Sequence, residues 1–155
     1  VRGAFVRYDG WLAFGTWATF WTLFRHIQAE KIEMTAPVYA DYPERIERRS
    51  GRMRVGFLYP DGETGKPGRR GRVEVSDLGS TTTIALGVRG NYDMESMREG
   101  VRRLEEWLDA HREEWRADGS PRRLMYQQPK WENRGRLYSE IEIPIVRVGS
   151  NSNHD

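Results

Sequence analysis

Lys31 to Val38 reads KIEMTAPV and follows directly on Phe20 to Gln28, FWTLFRHIQ. The two runs carry different periods. Trp17, Phe20, Trp21 and Phe24 recur at helical spacing, and at about 100° per residue they form one stripe, flanked by Leu23 and Ile27. The second run centres on Pro37, which lacks an N–H and suits only an edge position or a strand start. The expectation is an aromatic-faced helix over Thr16 to Glu30 that gives way to a strand over Pro37 to Tyr42.

A second helix is read from Asp93 to Trp115. Asp93 serves as its N-cap, and Met94, Met97, Val101, Leu104, Leu108 and Trp115 keep the helical period. Asp118 to Pro121 stop it. Further strands are expected at Ala4 to Tyr8, Arg52 to Tyr59, Arg72 to Asp77, Thr81 to Val88, Arg123 to Gln127 and Arg136 to Val146, with a long hairpin loop from Pro60 to Gly71. The order strand, helix, strands occurs twice. Such a doubled pattern suits an α+β domain in which an antiparallel sheet curves around two helices.

The 155 residues suit one domain over 1–148, with a polar, disordered tail over 149–155. With 37% hydrophobic and 31% charged residues the chain reads as globular, and its apolar stretches are too short and interrupted to cross a bilayer. No signal peptide is visible, and the cytoplasm is the simplest location. The absence of cysteine excludes disulfides, thiol nucleophiles and thiolate ligation of heme iron or zinc. The net charge of +2 hides a cluster of arginines between Arg45 and Arg72, which reads as a solvated loop and hairpin. With no recognition helix or zinc pattern, neither a nucleic-acid nor a membrane partner is expected, and the oligomeric state is left open.

The segment LFRHIQAEKIEMTAPV resembles the helix-to-strand segment of the SOUL family, the heme-binding protein family. Downstream, LMYQQPKW (Leu124 to Trp131) resembles the family's Tyr-x-x-Pro segment, and LYSEIEIPI (Leu137 to Ile145) its closing strand, with Glu four residues before Pro. The resemblance implies two ferredoxin-like repeats that form a curved, barrel-like antiparallel sheet with two long helices. It also implies a tetrapyrrole cleft between the first helix and the loop after Tyr-x-x-Pro. Carried over residue by residue, that cleft involves Trp17, Phe20, Trp21, Phe24, Met125, Tyr126 and Trp131. The family's first strand is longer, so residues before Val1 are expected to be missing.

Two readings of the aromatic stripe stand side by side. It is the packed face of the helix, or its flat rings offer stacking surface to a small planar hydrophobic ligand, heme or another tetrapyrrole. No metal site is expected, since His26 points away from the stripe, His111 flanks the second helix and His154 lies in the tail. Tyr8, Tyr126 or a methionine remain as candidate iron ligands, and Arg25 or Arg136 as partners for propionates. Glu140 shares a strand face with Tyr138 and Glu142, opposite Ile141, Ile143 and Ile145. That face is either simply wet or, as in the fold's GyrI-like relatives, presents Glu140 to a cationic or electrophilic aromatic molecule, with Tyr126 as its catalytic companion. No triad, zinc motif or phosphate loop appears, so non-catalytic binding is the primary expectation and a GyrI-like pocket enzyme or effector-binding domain the alternative.

Overall fold

The computed structural model describes residues 1–149. The chain begins with β1 (Arg2–Trp11) and passes without a turn into α1 (Leu12–Ala29). The helix starts ahead of the expected Thr16 because Leu12 N–H donates to the Arg49 carbonyl (2.9 Å), which replaces a side-chain cap at Trp11. After α1 come β2 (Val38–Asp41), β3 (Ser50–Leu58), β4 (Gly68–Arg70), β5 (Val73–Asp77) and β6 (Thr83–Gly90). Then follow α2 (Met94–Ala110), β7 (Trp115–Ala117), β8 (Arg122–Met125), a 3-10 turn (Trp131–Asn133) and β9 (Leu137–Arg147). Two short strands escaped the sequence reading. β4 lies inside the expected hairpin loop, and β7 begins at Trp115, whose helical phase is a coincidence. The Trp115 ring packs beneath the Arg147 guanidinium (4.8 Å), its ladder partner on β9.

The strands form one antiparallel sheet in the order β4-β5-β1-β3-β2-β8-β9-β6, with β7 added along β9. The sheet is curved and not closed, and the α+β class with two long helices is as expected. Its plan is a doubling. β1-α1-β2-β3 and β6-α2-β8-β9 each place their middle-numbered strand at the centre of the sheet, so β2 meets β8 at the seam. The helices repeat as well. Leu12, Gly15, Thr19 and Leu23 of α1, and Met97, Gly100, Leu104 and Leu108 of α2, are buried at identical steps of three, four and four. In both helices the glycine is where the helix approaches the sheet most closely: a Cβ on Gly15 would meet Met53 and Tyr8, and one on Gly100 would fall on Ile141.

The register fixes which residues share a face. Val75, Ala4, Phe57, Val38, Met125, Ser139 and Val88 stand opposite one another from strand to strand, and this row faces the helices. The neighbouring row, Glu74, Phe5, Gly56, Tyr39, Leu124, Glu140 and Gly87, faces away from them. Val6, Val55, Ile141 and Ile143, from the helix-facing rows, join the buried faces of α1 and α2 in the core. The aromatic stripe of α1 is therefore not the main core face of the helix: Leu12, Gly15, Thr19, Leu23 and Ile27 fill that role.

Candidate functional site

With its aliphatic face on the sheet, α1 carries a second apolar face outward. Trp17 is 72% and Trp21 54% exposed, while Phe20 is partly buried. These three rings form one wall of a cleft of about 570 Å³. Its other walls are Met34 to Ala36 of the KIEMTAPV segment, Val38 and Tyr42 around β2, Tyr92 to Met94 at the start of α2, and Met125 to Pro129 after β8. The cleft thus lies over the β2/β8 seam, between the two halves of the fold. Among the described lining residues Asp93 is the only charged one. Its Oδ1 is engaged as the α2 N-cap, accepting from Ser96 N–H (2.8 Å).

Arg123 holds that wall in place. It is 1% exposed and donates to the Asp93 carbonyl (3.0 Å) and to Ser96 Oγ (2.8 Å), tying β8 to the first turn of α2. Burial pushes its pKa down, as expected of a charge removed from water. Tyr92 completes the wall: its hydroxyl donates to the Tyr138 carbonyl (2.7 Å) and accepts from Gln127 N–H (3.1 Å).

Of the residues expected from sequence, Trp17, Phe20, Trp21, Met125 and Tyr126 meet in this cleft. Phe24 does not line it, and instead stacks on Phe20 (centroids 5.9 Å apart) behind the wall. Trp131 is 80% exposed on its 3-10 turn and lines an adjoining hollow that shares Tyr92, Asp93 and Pro129 with the cleft. Glu140 stands on the sheet face turned away from the helices, in the row of Tyr39 and Phe5. Tyr126 joins the two regions, since it borders the cleft and its hydroxyl donates to Glu140 Oε2 (2.7 Å). Burial, with that hydrogen bond and the Glu140 charge, pushes the Tyr126 phenol up to about 12. Met34, Tyr42, Tyr92 and Met94 were missed as site residues, although Met34 lies inside the quoted motif and Tyr92 directly precedes the N-cap.

Around Glu140 the outward face carries a half-buried polar network. Arg54 pairs with Asp41 (2.8 Å) and Arg122 with Glu142 (2.8 Å), while Tyr39 donates to Asp41 (2.6 Å) and its ring lies near both guanidiniums. Glu142 is thus committed to Arg122. Glu140 has no cation within ion-pair distance among the described residues.

The histidines supply no ligand to the cleft. His26 lies away from the stripe, as expected, yet is not simply in solvent: it is half-buried, its Nε2 lies 3.0 Å from the Tyr59 hydroxyl, and burial lowers its pKa. His111 stacks on Trp107 (4.0 Å) beyond the end of α2, and His154 lies outside the described residues. Arg25 donates to the Trp21 carbonyl and Arg136 to the Glu132 carbonyl, and neither lines the cleft. Burial pushes the phenols of Tyr42, Tyr92 and Tyr126 up, which disfavours the tyrosinate an iron would need. The thioethers of Met34, Met94 and Met125 are the remaining donors. The cleft thus offers flat apolar surface from Trp17, Phe20 and Trp21, and the thioethers of Met34, Met94 and Met125 would be the donors open to a metal-bearing ligand there.

The family model described as SOUL heme-binding protein matches residues 10–143. The chain belongs to this family. No curated protein matches it. Among solved structures, the crystal structure of the EcmrR C-terminal domain is similar at 15% identity and a TM-score of 0.78, covering 95% of this chain and 92% of that one. The cryo-EM structure of an EcmrR–DNA complex is similar at 17% identity and a TM-score of 0.67, over 95% of this chain and 54% of EcmrR. SAV2435 bound to tetraphenylphosphonium is similar at 9% identity and a TM-score of 0.52, over 99% of this chain and 92% of that one. These likenesses establish the shared fold, that of the expected GyrI-like relatives. They also correct the expectation that nucleic acid plays no part, because this fold occurs in a protein solved in a DNA complex. Lack of a recognition helix in this chain was too narrow a ground for it. No helix among the described residues is long and apolar enough to cross a membrane.

Proposed function

We propose that the chain is a non-catalytic binding module that holds heme or another flat tetrapyrrole in the cleft between α1 and α2. The observation that carries this reading is the cleft itself: about 570 Å³, walled by Trp17, Phe20 and Trp21 on one side and Met125 and Tyr126 on the other, with a single charged lining residue. A site of that size, mostly apolar with few polar groups, suits a planar ligand that gains affinity by stacking. Heme, when bound, supplies the redox and ligand chemistry of its iron. The side chains named here would bind and orient it by packing and would exclude water, and the thioethers of Met34, Met94 and Met125 would stand beside the iron without being needed for affinity. Saturable binding of hemin and metal-free protoporphyrin with similar affinity, read from Soret absorbance and tryptophan quenching, is the expected result. Absence of saturable binding by both overturns the proposal.

A second reading rests on Asp93, the one charged residue among the described lining residues of the cleft, and on Glu140, which has no cationic partner among the described residues and is linked to the cleft border through the Tyr126 hydroxyl. Both favour a cationic aromatic ligand, the class to which the tetraphenylphosphonium bound by SAV2435 belongs. Glu140→Gln, and Asp93→Asn, which keeps the helix cap, separate the two. Porphyrin binding survives both changes under the first reading, whereas tetraphenylphosphonium binding is lost under the second.

A further inference from the structure

The two edges of the sheet are built in opposite ways. β4 is three residues long, exposed throughout, and carries Arg69 and Arg70. Short length and charge are what keep an edge strand from pairing with another chain. β6, at the other end, has neither protection. It runs for eight residues, its outer side has no strand partner among the described residues, and its sequence from Thr81 to Val88, TTTIALGV, has no charge and no proline. Its Thr, Ile and Val also suit a strand. Its only charged residue is Arg89, at the penultimate position.

We infer that β6 is the contact surface for a second copy of this chain, joined by antiparallel pairing of β6 with β6 into one continuous sheet. The strand is complementary to itself. A two-fold axis perpendicular to the sheet keeps the helices of both copies on the same side, so paired residues must come from the same face of β6. Ile84, Leu86 and Val88 are the partly buried, helix-facing residues, and Ala85, Gly87 and Arg89 are the exposed, outward-facing ones. Placing the axis at Leu86 satisfies the rule. Leu86 then meets Leu86 of the partner copy, Ile84 meets Val88, and apolar contact runs along the helix face. On the other face Ala85 meets Gly87, two small residues that let the backbones approach, and Arg89 meets Thr83, so no like charges stand opposite each other. The Gly87 position is open, since a Cβ there would meet nothing within 4 Å. A pairing of single strands buries less than a standard interface, so the dimer is expected to be a weak, concentration-dependent one.

The test uses the whole chain. Sedimentation of the unmodified protein over roughly a hundredfold dilution series should give an average mass that climbs towards twice the 18.1 kDa chain mass as concentration rises. Ala85→Lys/Gly87→Lys puts lysine opposite lysine at both pairs, and Ala85→Glu/Gly87→Glu does the same with glutamate. Each variant alone should stay monomeric, and an equimolar mixture of the two should regain the dimer. A monomeric wild type at every concentration overturns the inference. So does a dimer that survives either variant, or a mixture that fails to recombine. Because two substitutions in one strand invite folding artefacts, hydrogen exchange on the unmodified protein gives an independent reading. Amides of Thr83 to Gly90 should gain protection with increasing concentration, and concentration-independent exchange there refutes the pairing.

Discussion

Replacing Trp21 by alanine isolates what the aromatic wall contributes. A tryptophan offers up to about 250 Å² for burial, so the 54% of Trp21 that is open leaves about 130 Å² to be covered. A planar ligand resting on one face of the indole covers about half of that, about 65 Å², which at about 25 cal/mol per Å² is about 1.6 kcal/mol. The dissociation constant for protoporphyrin should rise about fifteenfold. Stability should fall as well, because the covered part of Trp21, about 115 Å² packed edge-on against Phe20 (5.5 Å) and Phe24 (5.8 Å) among others, is lost. At about 25 cal/mol per Å² that costs up to about 3 kcal/mol, which lowers Tm by about 9 °C and leaves the variant folded at 25 °C. Fluorescence and Soret titrations measure the affinity, and thermal unfolding followed by circular dichroism measures the stability. Phe14→Ala is the control, since Phe14 is as exposed on the same helix but outside the cleft. An unchanged affinity in a folded Trp21→Ala variant, or an equal loss in Phe14→Ala, refutes the stacking argument.

Breaking the Arg122–Glu142 pair by Glu142→Gln should cost about 3 kcal/mol in urea unfolding, because both side chains are largely buried and the arginine is left unpaired. Replacing both partners by methionine should recover more than half of that loss. Tyr126 should ionise only near pH 12 by ultraviolet absorbance, and Glu140→Gln should bring it down. The folded phenol holds its proton more tightly than the unfolded one, so its contribution to stability is complete below about pH 10 and is lost as pH rises towards 12. Gly100→Ala should lower Tm despite a helix-propensity gain of about 1 kcal/mol. Its new Cβ falls on fully buried Ile141, and overpacking of this kind costs about 1–3 kcal/mol.

Much of the fold was legible because it rests on period and punctuation. The α2 stripe from Met94 to Leu108, its Asp93 cap and the alternation in β9 are local signals that the structure reproduces, whereas the helix stops at Ala110 and not at the expected Trp115, which opens β7. The KIEMTAPV segment carried the family and also part of the cleft wall. What could not be read was anything that depends on cross-strand register. Glu140 and the α1 aromatics look like one site in sequence, yet the ladder of Leu124 with Glu140 and of Met125 with Ser139 sets Glu140 on the opposite face from Met125. The face of α1 was obscured for another reason. Both of its sides are apolar, and the glycine and threonine that touch the sheet carry less hydrophobic signal than the tryptophans that do not. β4 and β7, at three residues each, are too short to display a period.

The seam beneath the cleft joins the two halves of the fold through its two shortest central strands. β2 and β8, the strands that join the two halves, have four residues each, whereas β3 and β9 behind them have nine and eleven. Four ladder pairs, Val38–Met125 to Asp41–Arg122, are all that stitch one half to the other directly under the cleft, with α1 on one bank and the start of α2 on the other. A guest seated there would touch both halves at once and so act as a second clasp across a short seam, one that the sheet itself does not supply.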